Sequence, residues 1–205
     1  MHLTHLSLTN FRAFARLDSD VPAGVNLIVG DNAQGKTTLL EAVYLLSTLT
    51  SFQAAHPGEL INFLEARQPL AVARVQAEYR RGERTHRLEV RVIQEPNGNG
   101  GKRVRREVLL DGLKRKADEV IGHFNAVLFL PGMFAIIAGS PADRRKYLDL
   151  TIAQVNPRYT AALSAYNKAL AQRNALLKQI GETGSDPTQL DYWDELLAQN
   201  GAILI

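Results

Sequence analysis

Eight residues constrain this chain more than any other feature. Gly30-Asp31-Asn32-Ala33-Gln34-Gly35-Lys36-Thr37 fits G-x-x-x-x-G-K-[ST] at all four fixed positions. Gly30 and Gly35 let the backbone bend so that successive N–H groups converge on phosphate oxygens at the positive end of the following helix. Lys36 supplies a charge for the β and γ phosphates, and the Thr37 hydroxyl is placed to ligate Mg²⁺. At ordinary residue frequencies the pattern arises by accident in roughly one chain of this length in a hundred. Its flanks make accident rarer still. Val25, Leu27, Ile28 and Val29 predict a buried strand before the loop. Leu39, Leu40, Val43, Tyr44 and Leu46, spaced by three and four, predict an amphipathic helix from Lys36 to about Ser47.

Elsewhere the apolar period tells strands from helices. The opening segment alternates through Leu6, Leu8, Phe11 and Phe14, and Leu88, Val90 and Val92 alternate with Arg87, Glu89 and Arg91. Between about Leu70 and Leu113 this predicts an antiparallel meander of three or four strands, with hairpin turns at Asn97 to Gly101 and at Asp111-Gly112. A short helix is expected near Asp118 to Phe124, then a second buried strand over Val127 to Leu130, ended by Pro131 and Gly132. From Ser140 the chain turns helical: Ser140 can cap, Pro141 suits the first turn and Asp143 completes a capping box. Asn156 and Pro157 repeat the signal ahead of a seam of Leu163, Tyr166, Leu170, Arg173, Leu177 and Ile180 that Gly181 closes. Asp186 and Pro187 open a last helix through Leu190, Trp193, Leu197 and Leu204, which predicts an antiparallel helical hairpin. No stop signal precedes Ile205, so a longer protein is expected.

Composition excludes several classes. The 205 residues are 45% apolar and 22% charged, enough for a real core and unlike disordered or collagenous chains. Apolar stretches of about five residues are far short of the roughly 18 to 20 that cross a bilayer. The first residues lack a signal peptide and there are no cysteines, which points to the cytoplasm and excludes disulfides and thiol chemistry. The five histidines show no metal-ligand spacing beyond His2 and His5, where no metal site is expected. Charge is uneven: of the net +3, residues from Gln179 onward carry −5, which leaves +8 on the first 178. Lys102 to Lys116 alone holds seven basic residues against Glu107 and Asp111, a strip able to meet a polyanion or simply to stay solvated.

Hydrolysis of a bound triphosphate needs an apolar strand ending in Asp for Mg²⁺, usually with a Glu to orient water. Val108-Leu109-Leu110-Asp111 has that look, but Gly112 follows, and Asp111 reads better as a turn residue. Val127 to Leu130 ends in Pro131 rather than an acid. Nucleotide binding without a visible catalytic carboxylate is therefore expected. No N-K-x-D guanine-reading motif is present.

Three segments resemble the RecF DNA-repair family, a branch of the SMC-like, ABC-type ATPases. Leu8-Thr9-Asn10-Phe11-Arg12-Ala13-Phe14 resembles the N-terminal NFR motif of SMC-like heads; the phosphate loop running into Leu39-Leu40-Glu41-Ala42 resembles the family's first helix; and Pro131 to Asp149 resembles its signature of Pro, a Gly-Ser-Pro turn, a double Arg and aromatic-Leu-Asp. Gln172 to Lys178 extends the likeness. The resemblance implies ATP and Mg²⁺ as cofactors. Residues Gly30, Asp31, Asn32, Ala33, Gln34, Gly35, Lys36, Thr37 and Thr38 would lie around the phosphates, and Arg12 beside the nucleotide. It further implies an ATP-dependent homodimer on DNA, gap repair and the SOS response with RecR and RecO, RecA loading, and a signature loop and Walker B strand beyond residue 205.

The fold expected is α/β: an ABC/SMC-like P-loop ATPase head with a parallel sheet and an antiparallel meander over residues 1–139, then a helical subdomain over 140–205. DNA contacts are expected from Lys102, Arg103, Arg105 and Arg106, or from Arg144 and Arg145. The double Arg near a helix start opposes the helix dipole, which calls for an anion there or for pairing with Asp149. A small-molecule or nucleotide kinase is the competing reading of the same loop, although a helical hairpin suits an SMC-like arm better than a kinase lid.

Overall fold

Period-two alternation becomes a six-stranded antiparallel sheet in the computed structural model, which describes residues 1–98 and 100–205. Its strands are β1 (His2–Phe11), β2 (Phe14–Asp20), β3 (Ala71–Arg81), β4 (Arg84–Pro96), β5 (Lys102–Leu110) and β6 (Leu113–Arg115), in spatial order β2-β1-β3-β4-β5-β6. Register aligns apolar residues across the sheet: Leu8 faces Val75, Val75 faces Val90, and Val90 faces Val108. Strand β3 shows the two faces most clearly. Ala71, Ala73, Val75, Ala77 and Tyr79 are buried, and the residues between them are not.

Helix α1 (Lys36–Thr48) covers the apolar face, its Ala42, Leu45 and Leu46 sharing one core with Leu6, Leu8, Val75 and Val90. Each fully buried leucine there contributes about 1.5 to 3 kcal/mol. The opposite face is ionic. Arg87 pairs with Glu78 at 2.8 Å, Arg91 with Glu89 at 2.5 Å, and Lys114 with Glu107 at 2.7 Å. Arg87–Glu78 and Lys114–Glu107 cross between strands while Arg91–Glu89 lies within β4, and the buried apolar cluster gathers on the α1 side.

The remaining helices are α2 (Ala117–Val120), α3 (Ala135–Ala138), α4 (Pro141–Ala153), α5 (Pro157–Thr183) and α6 (Asp191–Leu204). Ser140 and Asp143 close the capping box of α4, and Asn156 caps α5 through the N–H groups of Arg158 and Tyr159. Helices α5 and α6 run antiparallel: Arg173 bonds Asp194, while Tyr166, earlier on α5, lies over Gly201, later on α6.

Three expectations need correction. Val25–Val29 and Val127–Leu130 form no strand and no parallel sheet among the described residues. Val25 is 101% exposed, Val127 93% and Phe129 82%. An apolar run specifies burial, but a strand exists only when a neighbour takes its N–H and C=O groups, and none does here. Third, α5 passes through Gly181 and ends at Gly184, whose φ of +68° suits glycine and whose N–H bonds the Ile180 carbonyl at 2.8 Å. The Asp111-Gly112 turn forms as expected, both residues at positive φ. Of the Asn97 to Gly101 turn, Asn99 lies outside the described residues.

Candidate functional site

The phosphate-loop residues form an exposed turn at the mouth of α1. Gln34 N–H bonds the Asp31 carbonyl at 3.4 Å, Ala33 has φ +68°, and Gly35 starts the helix at φ +87°. No side chain caps that start, and its first turn holds no acid. The first intrahelical bond runs from Leu39 N–H to the Gly35 carbonyl, so the N–H groups of Lys36, Thr37 and Thr38 precede it without helical partners. Lys36 folds back and donates from Nζ to the carbonyls of Gly30 and Asp31, both at 2.7 Å. The loop thus carries N–H groups without helical partners, the positive end of a helix dipole and an ammonium braced on its own carbonyls. That is chemistry for a polyphosphate.

Thr37 is exposed, and its hydroxyl makes no hydrogen bond among the described residues, which suits a Mg²⁺ ligand. Among those residues no group of three or more His, Asp or Glu is arranged to hold a metal, so phosphate oxygens and further ligands would have to complete such a site.

Arg12 lies in the β1–β2 turn at φ +52°, and its guanidinium is committed. Nε and one terminal nitrogen reach the two Glu41 carboxylate oxygens at 2.9 and 2.7 Å, and the other terminal nitrogen reaches the Glu59 carbonyl at 3.0 Å. Ser51 Oγ also donates to Glu41. The Phe14 ring lies against Gly35. Phe14 and Glu41 lie inside segments that carry the family resemblance, which gives neither a role at the site, and Ser51 lies outside them. Glu41 sits four positions before Leu45 on the apolar face of α1, and a carboxylate there was the available signal.

The basic candidates do not form one edge. Lys102 Nζ donates to the Ala66 carbonyl at 2.6 Å, and Arg106 donates to the Leu49 carbonyl, both on the face that carries α1. Burial lowers the Arg106 pKa. Arg103 and Arg105 point to the ionic face, where Glu107 and then Glu95 raise the pKa of Arg105. Arg144 donates to the carbonyls of Ile137 and Gly139, and Arg145 is exposed. Asp149 accepts instead from the Tyr159 hydroxyl at 2.6 Å; burial and that carboxylate push the phenol up to about 12. Asp111 is a turn brace, with Oδ1 on the Arg87 N–H at 2.8 Å and Oδ2 beside His86 Nδ1 at 2.9 Å.

A family model described as the RecF/RecN/SMC N terminal domain matches residues 2–171. The chain belongs to this family. It is 40% identical to the DNA replication and repair protein RecF of Roseiflexus castenholzii over 100% of its own length and 54% of that protein. The corresponding protein of Lacticaseibacillus casei is 38% identical over 100% of this chain and 52% of its own. Among solved structures, the recombination mediator protein RecF-ATPrS in the RecFOR pathway matches with a TM-score of 0.83 at 36% identity, covering 99% of this chain and 52% of that one. The RecF-ATP structure gives the same TM-score and identity over 98% and 51%. The chain therefore spans about half the length of the relatives it matches.

Proposed function

We propose that this chain is the ATP-binding part of a RecF-type DNA replication and repair protein, acting in recombinational repair. One observation carries the reading. The unpaired N–H groups of α1, with Lys36 braced on the Gly30 and Asp31 carbonyls, form a polyphosphate cradle in a chain 36% identical to RecF-ATP. Gly30 to Thr38 hold the phosphates, and Thr37 supplies the protein's ligand to Mg²⁺. The likeness to a RecFOR-pathway protein supports RecR and RecO as partners, with DNA and a second, ATP-dependent copy of the protein, in the cytoplasm. It favours this reading over a kinase using the same loop. No helix among the described residues is long and apolar enough to cross a membrane.

Calorimetric titration with ATP, with and without double-stranded DNA, tests the proposal. Saturable ATP binding that DNA strengthens is expected. Binding of ATP with transfer of its γ-phosphate to a small acceptor would replace it by the kinase reading.

A further inference from the structure

We propose that the Phe14 ring is a positioning residue for the phosphate loop, setting the height of the Gly35 backbone and of the three N–H groups behind it. The proposal rests on the reading of this loop as a nucleotide site. A Cβ built on Gly35 would lie 2.7 Å from Phe14 Cζ and 2.9 Å from Cε2, closer than real Cβ atoms come. The tip of the ring therefore fills the place of the missing side chain. Gly35 is a glycine twice over, once for its φ of +87° and once for this contact.

The turn that carries Phe14 is itself anchored. Phe14 pairs with Phe11 across the β1–β2 hairpin. Between them the Arg12 N–H bonds the Leu60 carbonyl at 2.9 Å, and Asn62 Nδ2 bonds the Arg12 carbonyl at 2.7 Å. The Asn62 N–H bonds the Asn10 carbonyl at 2.7 Å. From this base Arg12 grips α1 at Glu41 while Phe14 meets it at Gly35, two points about 9 Å apart along the helix. Contact at two points fixes both the advance and the tilt of a rigid rod. The loop ahead, Gly30 to Gln34, is exposed and is braced by its own Lys36 and Gln34 hydrogen bonds. Phosphate oxygens are held by N–H groups at about 2.9 Å, so a shift of well under an ångström at Gly35 is felt by every one of them.

The test is binding of ATP and of inorganic tripolyphosphate by calorimetry, with thermal unfolding of each variant alongside. Phe14→Tyr adds an oxygen to Cζ, the atom nearest Gly35, on a side chain that is only half-buried. The fold should keep its midpoint, while ATP and tripolyphosphate affinities fall together by about tenfold, within the range that sub-ångström misplacement costs. Phe14→Ala removes the ring that meets Gly35 and should lower both affinities alike. If Phe14→Tyr unfolds, Phe14→Leu, which shortens the side chain without adding volume, carries the same comparison. Wild-type tripolyphosphate affinity in these variants overturns the proposal, and a loss confined to ATP overturns it in favour of a base contact. A wild-type chain that binds neither ligand removes the nucleotide reading itself, a result distinct from variants that match a binding wild type.

Discussion

Arg12 and Glu41 form a two-pronged ion pair across 29 positions of sequence, with the carboxylate fully buried and the guanidinium side chain 21% exposed. Ser51 and the Glu59 carbonyl complete it. It joins the β1–β2 turn, helix α1 and the segment before β3. Removing one partner of a buried pair leaves the other uncompensated, and that loss outweighs the pair's own worth. Glu41→Gln is expected to destabilise the chain by about 3 kcal/mol, the low end of the usual range because Arg12 keeps some solvent. The urea midpoint measures this, and an unchanged midpoint would mean that the pair contributes nothing.

Lys36 is different, since among the described residues its ammonium bonds only the Gly30 and Asp31 carbonyls of an exposed loop. Lys36→Ala should leave the unfolding midpoint in place and weaken ATP binding about a hundredfold, the equivalent of losing one or two charge-assisted hydrogen bonds. Equal affinity in mutant and wild type would remove the loop from the site.

Turnover should be negligible in this chain. Asp111, the one acid that ends an apolar run, has both carboxylate oxygens engaged in a tight turn by the Arg87 N–H and His86. Phosphate release that persists through repurification and disappears in Lys36→Ala would reveal a catalytic carboxylate elsewhere.

What was legible in the sequence was local. The loop and α1 follow from eight contiguous residues and a period of three and four, and β3 to β5 from alternation with turn residues between. Asp111-Gly112 was readable as a turn because two consecutive positive φ values suit that pair. Long-range partners were not legible. Val25–Val29 announces burial without naming the strand that would pair with it, and Arg12 announces a cation without naming Glu41. The split of the basic strip follows from pleat parity, which sends Arg105 and Arg106 to opposite faces of β5. Charge counting ignores that parity.

Acid should loosen the β5–β6 turn. Burial alone would push the Asp111 carboxyl up, but the Arg87 N–H and then His86 outweigh it and hold the pKa below the ordinary 3.8. A carboxylate depressed in the folded state contributes stability that is fully present above its unfolded pKa and lost as pH falls through the folded one. The loss should therefore begin below about pH 3.8. Asp111→Asn, which tolerates positive φ, should be less stable at neutral pH and show a shallower acid limb in urea midpoints between about pH 5 and pH 2. Parallel limbs would show that the turn's charge is immaterial.

Charge on β5 can be tested face by face. Removing one phosphate–cation pairing flattens the slope of log K against log salt by about 0.9. Arg103 has no hydrogen bond or ion pair among the described residues, whereas Arg105 is already shared by Glu107 and Glu95. The double variant Arg103→Gln with Arg105→Gln should flatten the slope by about 1 to 2 units, nearer 1 if Arg105 stays with its carboxylates. Arg106→Gln should act on the fold instead, because its guanidinium is held against the Leu49 carbonyl at the end of α1. It is expected to lower the thermal midpoint and leave the salt slope alone. A double variant with the wild-type slope would move the DNA surface away from this strand, and Arg144→Gln with Arg145→Gln would be the next pair to measure.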